Sequence, residues 1–88
     1  MNIEWDAAKE KSNVKKHGVD FDEAATALLD PMALAREDED SVEEARWVII
    51  GQSSKPRLLT VVYTLREEDT IRIISARKAT SNEASSYA

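Results

Sequence analysis

The run Arg57-Leu58-Leu59-Thr60-Val61-Val62-Tyr63-Thr64-Leu65, followed shortly by Thr70-Ile71-Arg72-Ile73-Ile74-Ser75-Ala76, decides the fold. Both runs are rich in β-branched and aromatic residues, which pack well on a pleated surface, so each reads as a strand. Glu67-Glu68-Asp69 lies between them and reads as a hairpin tip. So short a connection dictates antiparallel pairing, because parallel strands need a long crossover. Working upstream, Arg46-Trp47-Val48-Ile49-Ile50-Gly51 is a third strand, joined through the turn Gln52 to Pro56. Met32 to Arg36 is a fourth candidate. Glu37 to Glu44, with six acids in eight residues, reads as a solvated loop.

Further upstream the period changes. Asp6 reads as an N-cap for a helix over Ala7 to His17. Lys15, Lys16 and His17 suit the negative end of its dipole, and Gly18 suits the left-handed position beyond it. Asp20 with Glu23 resembles a capping box, with Val19 as a hydrophobic staple. It opens a second helix, Phe21 to Leu29, that stops before Asp30-Pro31. Phe21, Ala24, Ala25, Leu28 and Leu29 form its apolar stripe. Ile3-Glu4-Trp5 is short enough for an edge strand. At the other end Thr80 and Glu83 form a capping box for a short helix, Ser81 to Tyr87. The expected architecture is α+β: two N-terminal helices, an antiparallel sheet of three to four strands and a short C-terminal helix. Eighty-eight residues hold one such domain, spanning 1–88.

Composition excludes several classes. The chain has no cysteine, hence no disulfide scaffold, thiolate metal site or cysteine nucleophile. One histidine and no cysteine leave no basis for zinc, and no phosphate-binding glycine loop or other cofactor motif is present. The start carries no signal-peptide pattern, and no apolar run approaches the ~20 residues of a membrane span. The chain therefore reads as soluble and cytoplasmic. The net charge of −5 argues against nucleic acid until its distribution is considered. Residues 1–44 hold five Lys/Arg against thirteen Asp/Glu, whereas residues 45–88 hold seven against four. From Arg46 to Arg66 there are four basic residues and no acid, which permits a local basic surface on an acidic protein.

Candidate chemistry lies in few residues. Histidine is the side chain whose charge changes most readily in the neutral range, so His17 suits proton transfer; equally, it is a cation-compatible residue at a helix C-terminus. Lys16 beside it has the same two readings, and the pair suits a phosphate. Strict alternation puts Arg57, Leu59, Val61, Tyr63 and Leu65 on one face. It puts Ile71, Ile73, Ser75 and Arg77 on one face of the next strand, and Arg72, Ile74 and Ala76 on the other. Arginines among apolar strand residues are either paired with carboxylates or lining a phosphate-binding groove. Tyr63 and Tyr87 can stack on a base or donate to a phosphate, and equally can pack in the core. Trp5 and Trp47 read as core.

These segments, taken in order, resemble the BrnT toxins. The opening Ile3-Glu4-Trp5-Asp6-Ala7-Ala8-Lys9, then Asn13, Lys16-His17-Gly18-Val19 and Phe21-Asp22-Glu23-Ala24-Ala25 are similar to that family. So are Arg46-Trp47, Ile50-Gly51-Gln52-Ser53, Arg57-Leu58-Leu59, Val62-Tyr63-Thr64 and Ile71 to Thr80, and Glu83 and Tyr87 fall where the family carries them. The resemblance covers nearly the whole chain. It implies a RelE-like fold and a ribonuclease toxin of a type II toxin–antitoxin system that cleaves RNA without a metal and arrests growth. It implies a BrnA-type antitoxin that supplies DNA binding, in a hetero-oligomer with two copies of each. The alternative is an inactive RelE-like module that binds antitoxin or RNA. Metal-free cleavage needs proton transfer and cations for the phosphorane charge. The resemblance thus points to His17, Lys16, Arg57 and Arg77 as catalytic candidates and to Arg72 and Tyr63 as substrate-binding ones. One departure is the C-terminal segment Thr80 to Ala88, which has no Lys or Arg where the family has a more basic helix.

Overall fold

A computed structural model describes residues 1–39, 44–67 and 69–87. The elements run β1 (Asn2–Trp5), α1 (Ala7–His17), α2 (Phe21–Leu28), β2 (Leu34–Asp38), β3 (Arg46–Gln52), β4 (Leu58–Arg66), β5 (Thr70–Lys78) and α3 (Ser81–Ser86). The strands form one sheet in the order β1-β5-β4-β3-β2.

The helices begin and end where their cap chemistry dictates. The Asp6 carboxylate accepts from the backbone N–H of Ala8 and Lys9, and Gly18 closes α1 in the left-handed region at φ 69°. The Asp20 carboxylate caps α2 by accepting from the Glu23 N–H. The reciprocal half of the expected box is absent, because the Glu23 side chain is engaged elsewhere. Leu28 is the last residue of α2, and Leu29 stands outside the apolar stripe, 62% exposed.

The sheet corrects the expectation of three to four antiparallel strands. It has five, and β1 pairs in parallel with β5, Ile3 opposite Ile71 and Trp5 opposite Ile73. The short-connection rule governs neighbours in sequence, and here the crossover is nearly the whole chain. β2 starts two residues later than expected and takes in Glu37 and Asp38, first read as loop. Residues 40–43 of that acidic run lie outside the described residues, as does Glu68 of the hairpin tip.

α1 and α2 cover one face of the sheet. The core between them comprises Val19, Phe21, Ala24 and Ala27 from the helical side, with Ile49, Leu59, Val61, Tyr63, Ile73 and Ala76 from the strands. Trp5 packs on its edge, its ring meeting Phe21 edge-to-face at 6.2 Å. α2 lies so close to β3 that a Cβ on Gly51 would sit 2.4 Å from the Ala27 carbonyl oxygen. Gly51 is therefore required by the approach of a helix backbone. Buried Asn13 anchors α1 to β5, donating to the carbonyls of Val19 at 2.8 Å and Ala76 at 2.7 Å and accepting from the Ala76 N–H at 3.1 Å.

Strict alternation along β5 also fails, with consequences for the site. Val62 pairs with Ser75, but Tyr63 pairs with Ile73, so Ile74 is an extra residue, a bulge. Beyond it the faces exchange. Ala76 joins Ile71 and Ile73 on the helix-covered face, and Arg77 joins Arg72 on the other, which we call the open face.

Candidate active site

α3 is the element that crosses the open face. It runs from the end of β5, over β4, toward β3 and β2. Its own cap and three polar ties to the rest of the fold hold it. Its capping box is complete: Glu83 N–H donates to Thr80 Oγ1, and the Thr80 N–H donates to Glu83 Oε1. The Glu83 carboxylate also receives Arg77 in a bidentate pair, Nη1 to Oε1 at 2.7 Å and Nη2 to Oε2 at 2.9 Å. Thr60 Oγ1 donates to the same Oε1 at 2.9 Å. At the far end the Tyr87 hydroxyl donates to Asp30, whose carboxylate also accepts from the backbone N–H of Met32 and Gln52. The Arg77 guanidinium, followed by the Thr80 and Thr60 bonds, holds Glu83 well below the usual carboxylate range, at about 2, despite partial burial. The same pairing raises Arg77.

Between α3 and the open-face residues of β2 and β3 lies a groove of about 360 Å³. Its floor is Leu34, Val48 and Ile50; Arg36 stands on one wall and Glu83 and Asn82 on the other. The volume falls in the range of small-ligand sites, roughly 300–1,000 Å³.

A second arginine–glutamate pair ties the helices to the start of β4. Arg57 Nε donates to Glu23 Oε2 at 2.7 Å, and Nη2 donates to Glu23 Oε1 at 2.6 Å. Ser53 Oγ adds a bond to Oε2 at 2.6 Å, and Arg57 Nη2 reaches the Gly18 carbonyl at 3.2 Å. Glu23 is buried, yet the Arg57 hydrogen bonds outweigh desolvation and lower it to about 2.

These contacts place the sequence-derived candidates. Arg57 and the Lys16-His17-Gly18 corner meet at one end of the sheet, with Lys16 and His17 exposed on the last turn of α1. Arg77 lies at that same end, since it pairs with Thr60 near the start of β4. Arg72 shares the open face with Arg77 but lies toward the other end, beside Thr64. Four residues of β4 separate the two levels, about 13 Å. Arg72 Nη1 donates to Glu4 Oε2 at 2.8 Å. Tyr63 sits on the helix-covered face in the core, and burial raises its hydroxyl pKa. Sequence reasoning missed Glu83 as a site residue. Its spacing from Thr80 is fully accounted for by helix capping, and nothing local marks its second partner, Arg77. Among the described residues, Glu10, Asp20 and Asp22 bring carboxylate oxygens within 4.8 Å of one another. Both Glu10 oxygens already accept, from Trp5 Nε1 and the Phe21 N–H.

Residues 5–83 match the family model described as the ribonuclease toxin BrnT of type II toxin–antitoxin systems. The chain belongs to the BrnT family. A BrnT toxin therefore carries this groove and these two arginine–glutamate pairs. The crystal structure of the Brucella abortus ribonuclease toxin BrnT is similar, with a TM-score of 0.72 and 25% sequence identity. The likeness covers 92% of this chain and 99% of that one. No curated protein matches. The BrnT assignment makes the chain a ribonuclease toxin with RNA as its substrate class and an antitoxin as its partner.

Proposed function

We propose that the chain is a metal-independent endoribonuclease whose RNA path crosses the open face at the α3 groove. The observation carrying this reading is the bulge at Ile74. It sets Arg77 and Arg72 on one face about 13 Å apart, with Arg36 across the groove. Planar guanidinium groups match phosphate oxygens, and cations on one path favour a polyanion despite the net charge.

In the reaction the ribose 2′-OH attacks the adjacent phosphorus in line and the 5′ oxygen leaves. Arg77 and Arg72 hold phosphate and transition-state charge, and Arg57 supports the same end of the sheet. His17 or Lys16 is the proton-transfer group; Tyr63, the outside candidate, lies in the core on the helix-covered face, away from this path. The cleavage arrests growth. A BrnA-type antitoxin neutralises the enzyme in a hetero-oligomer with two copies of each, and DNA is bound only through the antitoxin. The setting is the cytoplasm; among the described residues no helix is long and apolar enough to cross a membrane.

The test is incubation of purified chain with total RNA in excess chelator, beside Arg57→Ala, Arg72→Ala, Arg77→Ala and His17→Ala. Cleavage is expected, and Arg72→Ala, Arg77→Ala and His17→Ala should lose it while remaining folded, whereas Arg57→Ala also strands the buried Glu23 carboxylate and is read together with its fold. Unchanged cleavage in all four sinks the assignment. A second reading, a binding module without catalysis, has one observation in its favour: Arg57, Arg72 and Arg77 each already carry a carboxylate partner. Intact RNA beside folded chain that still binds its antitoxin establishes that reading instead.

A further inference from the structure

We propose that Glu83 is the general base of the cleavage reaction, held beside the scissile phosphate by Arg77. The inference rests on the ribonuclease reading above and deepens it, because that reading leaves the acceptor of the 2′-OH proton open.

The geometry of the carboxylate is the first argument. Glu83 Oε1 is crowded, accepting from Arg77 Nη1, Thr60 Oγ1 and the Thr80 N–H. Among the described residues Oε2 accepts only from Arg77 Nη2. An ionised carboxylate oxygen takes about two donors, so Oε2 keeps a site for one more. Three converging bonds on Oε1 fix the plane of the group and therefore the direction of that site.

Arg77 supplies the second argument. A guanidinium has five N–H donors in a rigid fork. Glu83 uses one on Nη1 and one on Nη2, and the Lys78 carbonyl takes another from Nη1 at 3.3 Å. Two donors, on Nε and Nη2, serve neither partner. They lie along the other edge of the fork and suit a second bidentate acceptor such as a phosphate. One arginine then bridges substrate phosphate and carboxylate, which brings Oε2 next to the ribose attached to that phosphate.

The third argument is the surroundings. Glu83 lines the 360 Å³ groove, whose floor of Leu34, Val48 and Ile50 offers an apolar seat for the nucleotide carrying the 2′-OH. Among the described residues the charged groups facing the carboxylate are Arg77 from β5 and Arg36 from β2; β3 and β4 present Val48, Ile50 and Thr60 there. A phosphate on Arg77 neutralises part of the charge that suppresses Glu83 basicity, so the base strengthens when substrate arrives.

The step balances simply. Glu83 Oε2 takes the 2′-OH proton, the O2′–P bond forms and the P–O5′ bond breaks. The leaving 5′ oxygen takes a proton from solvent. The products are a 2′,3′-cyclic phosphate and a 5′-OH.

The experiment is single-turnover cleavage of a labelled RNA oligonucleotide, with binding of its 2′-O-methyl counterpart measured in parallel. Glu83→Gln should lower the cleavage rate by roughly 10²–10⁴-fold, with affinity for the 2′-O-methyl strand within about threefold. Glu83→Asp, which keeps a carboxylate, should recover part of the rate. The wild-type rate should stay level down to about pH 4.5 and fall below it, toward the value of about 2 at which Arg77 holds Glu83, and the residual Glu83→Gln rate should lack that limb. Cleavage by Glu83→Gln within tenfold of wild type overturns the proposal, as does affinity lost in parallel with rate. So does an acid limb near pH ~6.5 that disappears in His17→Ala, which transfers the base role to histidine. Wild-type chain that binds RNA and never cleaves it overturns the ribonuclease reading itself.

Discussion

The two arginine–glutamate pairs have the same chemistry and opposite settings. Arg57–Glu23 joins the helical layer to the start of β4, with side chains 27% and 2% exposed. Arg77–Glu83 straps α3 to the open face, with side chains 41% and 21% exposed. Both glutamates are held at about 2. The difference lies in what happens when a partner is lost. Removing Arg57 leaves the Glu23 carboxylate with almost no access to water. Removing one member of the outer pair leaves a charge that water or a phosphate can satisfy. The inner pair is therefore an architectural tie, and the outer pair is open to solvent.

The largest expected effect breaks the inner pair. Glu23→Ala leaves the part-buried Arg57 without its counter-charge and the buried Ser53 hydroxyl without its acceptor, and should cost about 3 kcal/mol. In a domain this small that lowers Tm by roughly 10 °C or more by calorimetry. A loss under 1 kcal/mol would make the two pairs equivalent and remove the contrast.

Acid titrates the same contrast. Glu23 moves from an ordinary value of 4.5 to about 2 on folding, so its contribution is fully present above pH 4.5. It fades as pH falls from there through about 2, because the unfolded chain then binds the proton first. Urea midpoints should be flat from pH 7 to about 5 and drop below, and Glu23→Gln should show a shallower drop. An identical acid dependence in that variant would locate the acid sensitivity elsewhere.

Gly51→Ala probes the helix-covered face without touching charge. Its Cβ meets the Ala27 carbonyl oxygen at 2.4 Å, so α2 must lift from β3. Overpacking of this kind should cost about 1–3 kcal/mol in chemical denaturation. An unchanged midpoint would show the interface to be looser than the inner pair implies.

The smallest expected effect on stability belongs to Glu83→Gln, about 1 kcal/mol, since the half-exposed Arg77 keeps access to water and Gln keeps an acceptor for the cap. Set against the large loss of cleavage expected from the same substitution, this sharpens the comparison. A destabilisation comparable to that of Glu23→Ala would make the outer pair a tie as well.

Local patterns in the sequence determined much of this protein. Asp6, Gly18 and the Thr80–Glu83 box fixed helix ends, because caps act over three or four residues. The runs 46–51, 57–65 and 70–76 announced three strands, because β-branched density is a property of the strand itself. The likeness to BrnT toxins was legible for the same reason, carried by short segments in order. What only the tertiary structure decided depends on residues far apart in the chain. The parallel pairing of β1 with β5 joins residues nearly seventy positions apart. The bulge at Ile74 exists only in relation to β4, and it alone put Arg77 on the face of Arg72. Glu23 met Arg57, and Glu83 turned from helix cap to partner of Arg77 and Thr60, because side-chain contacts follow the folded path and leave no period along the sequence.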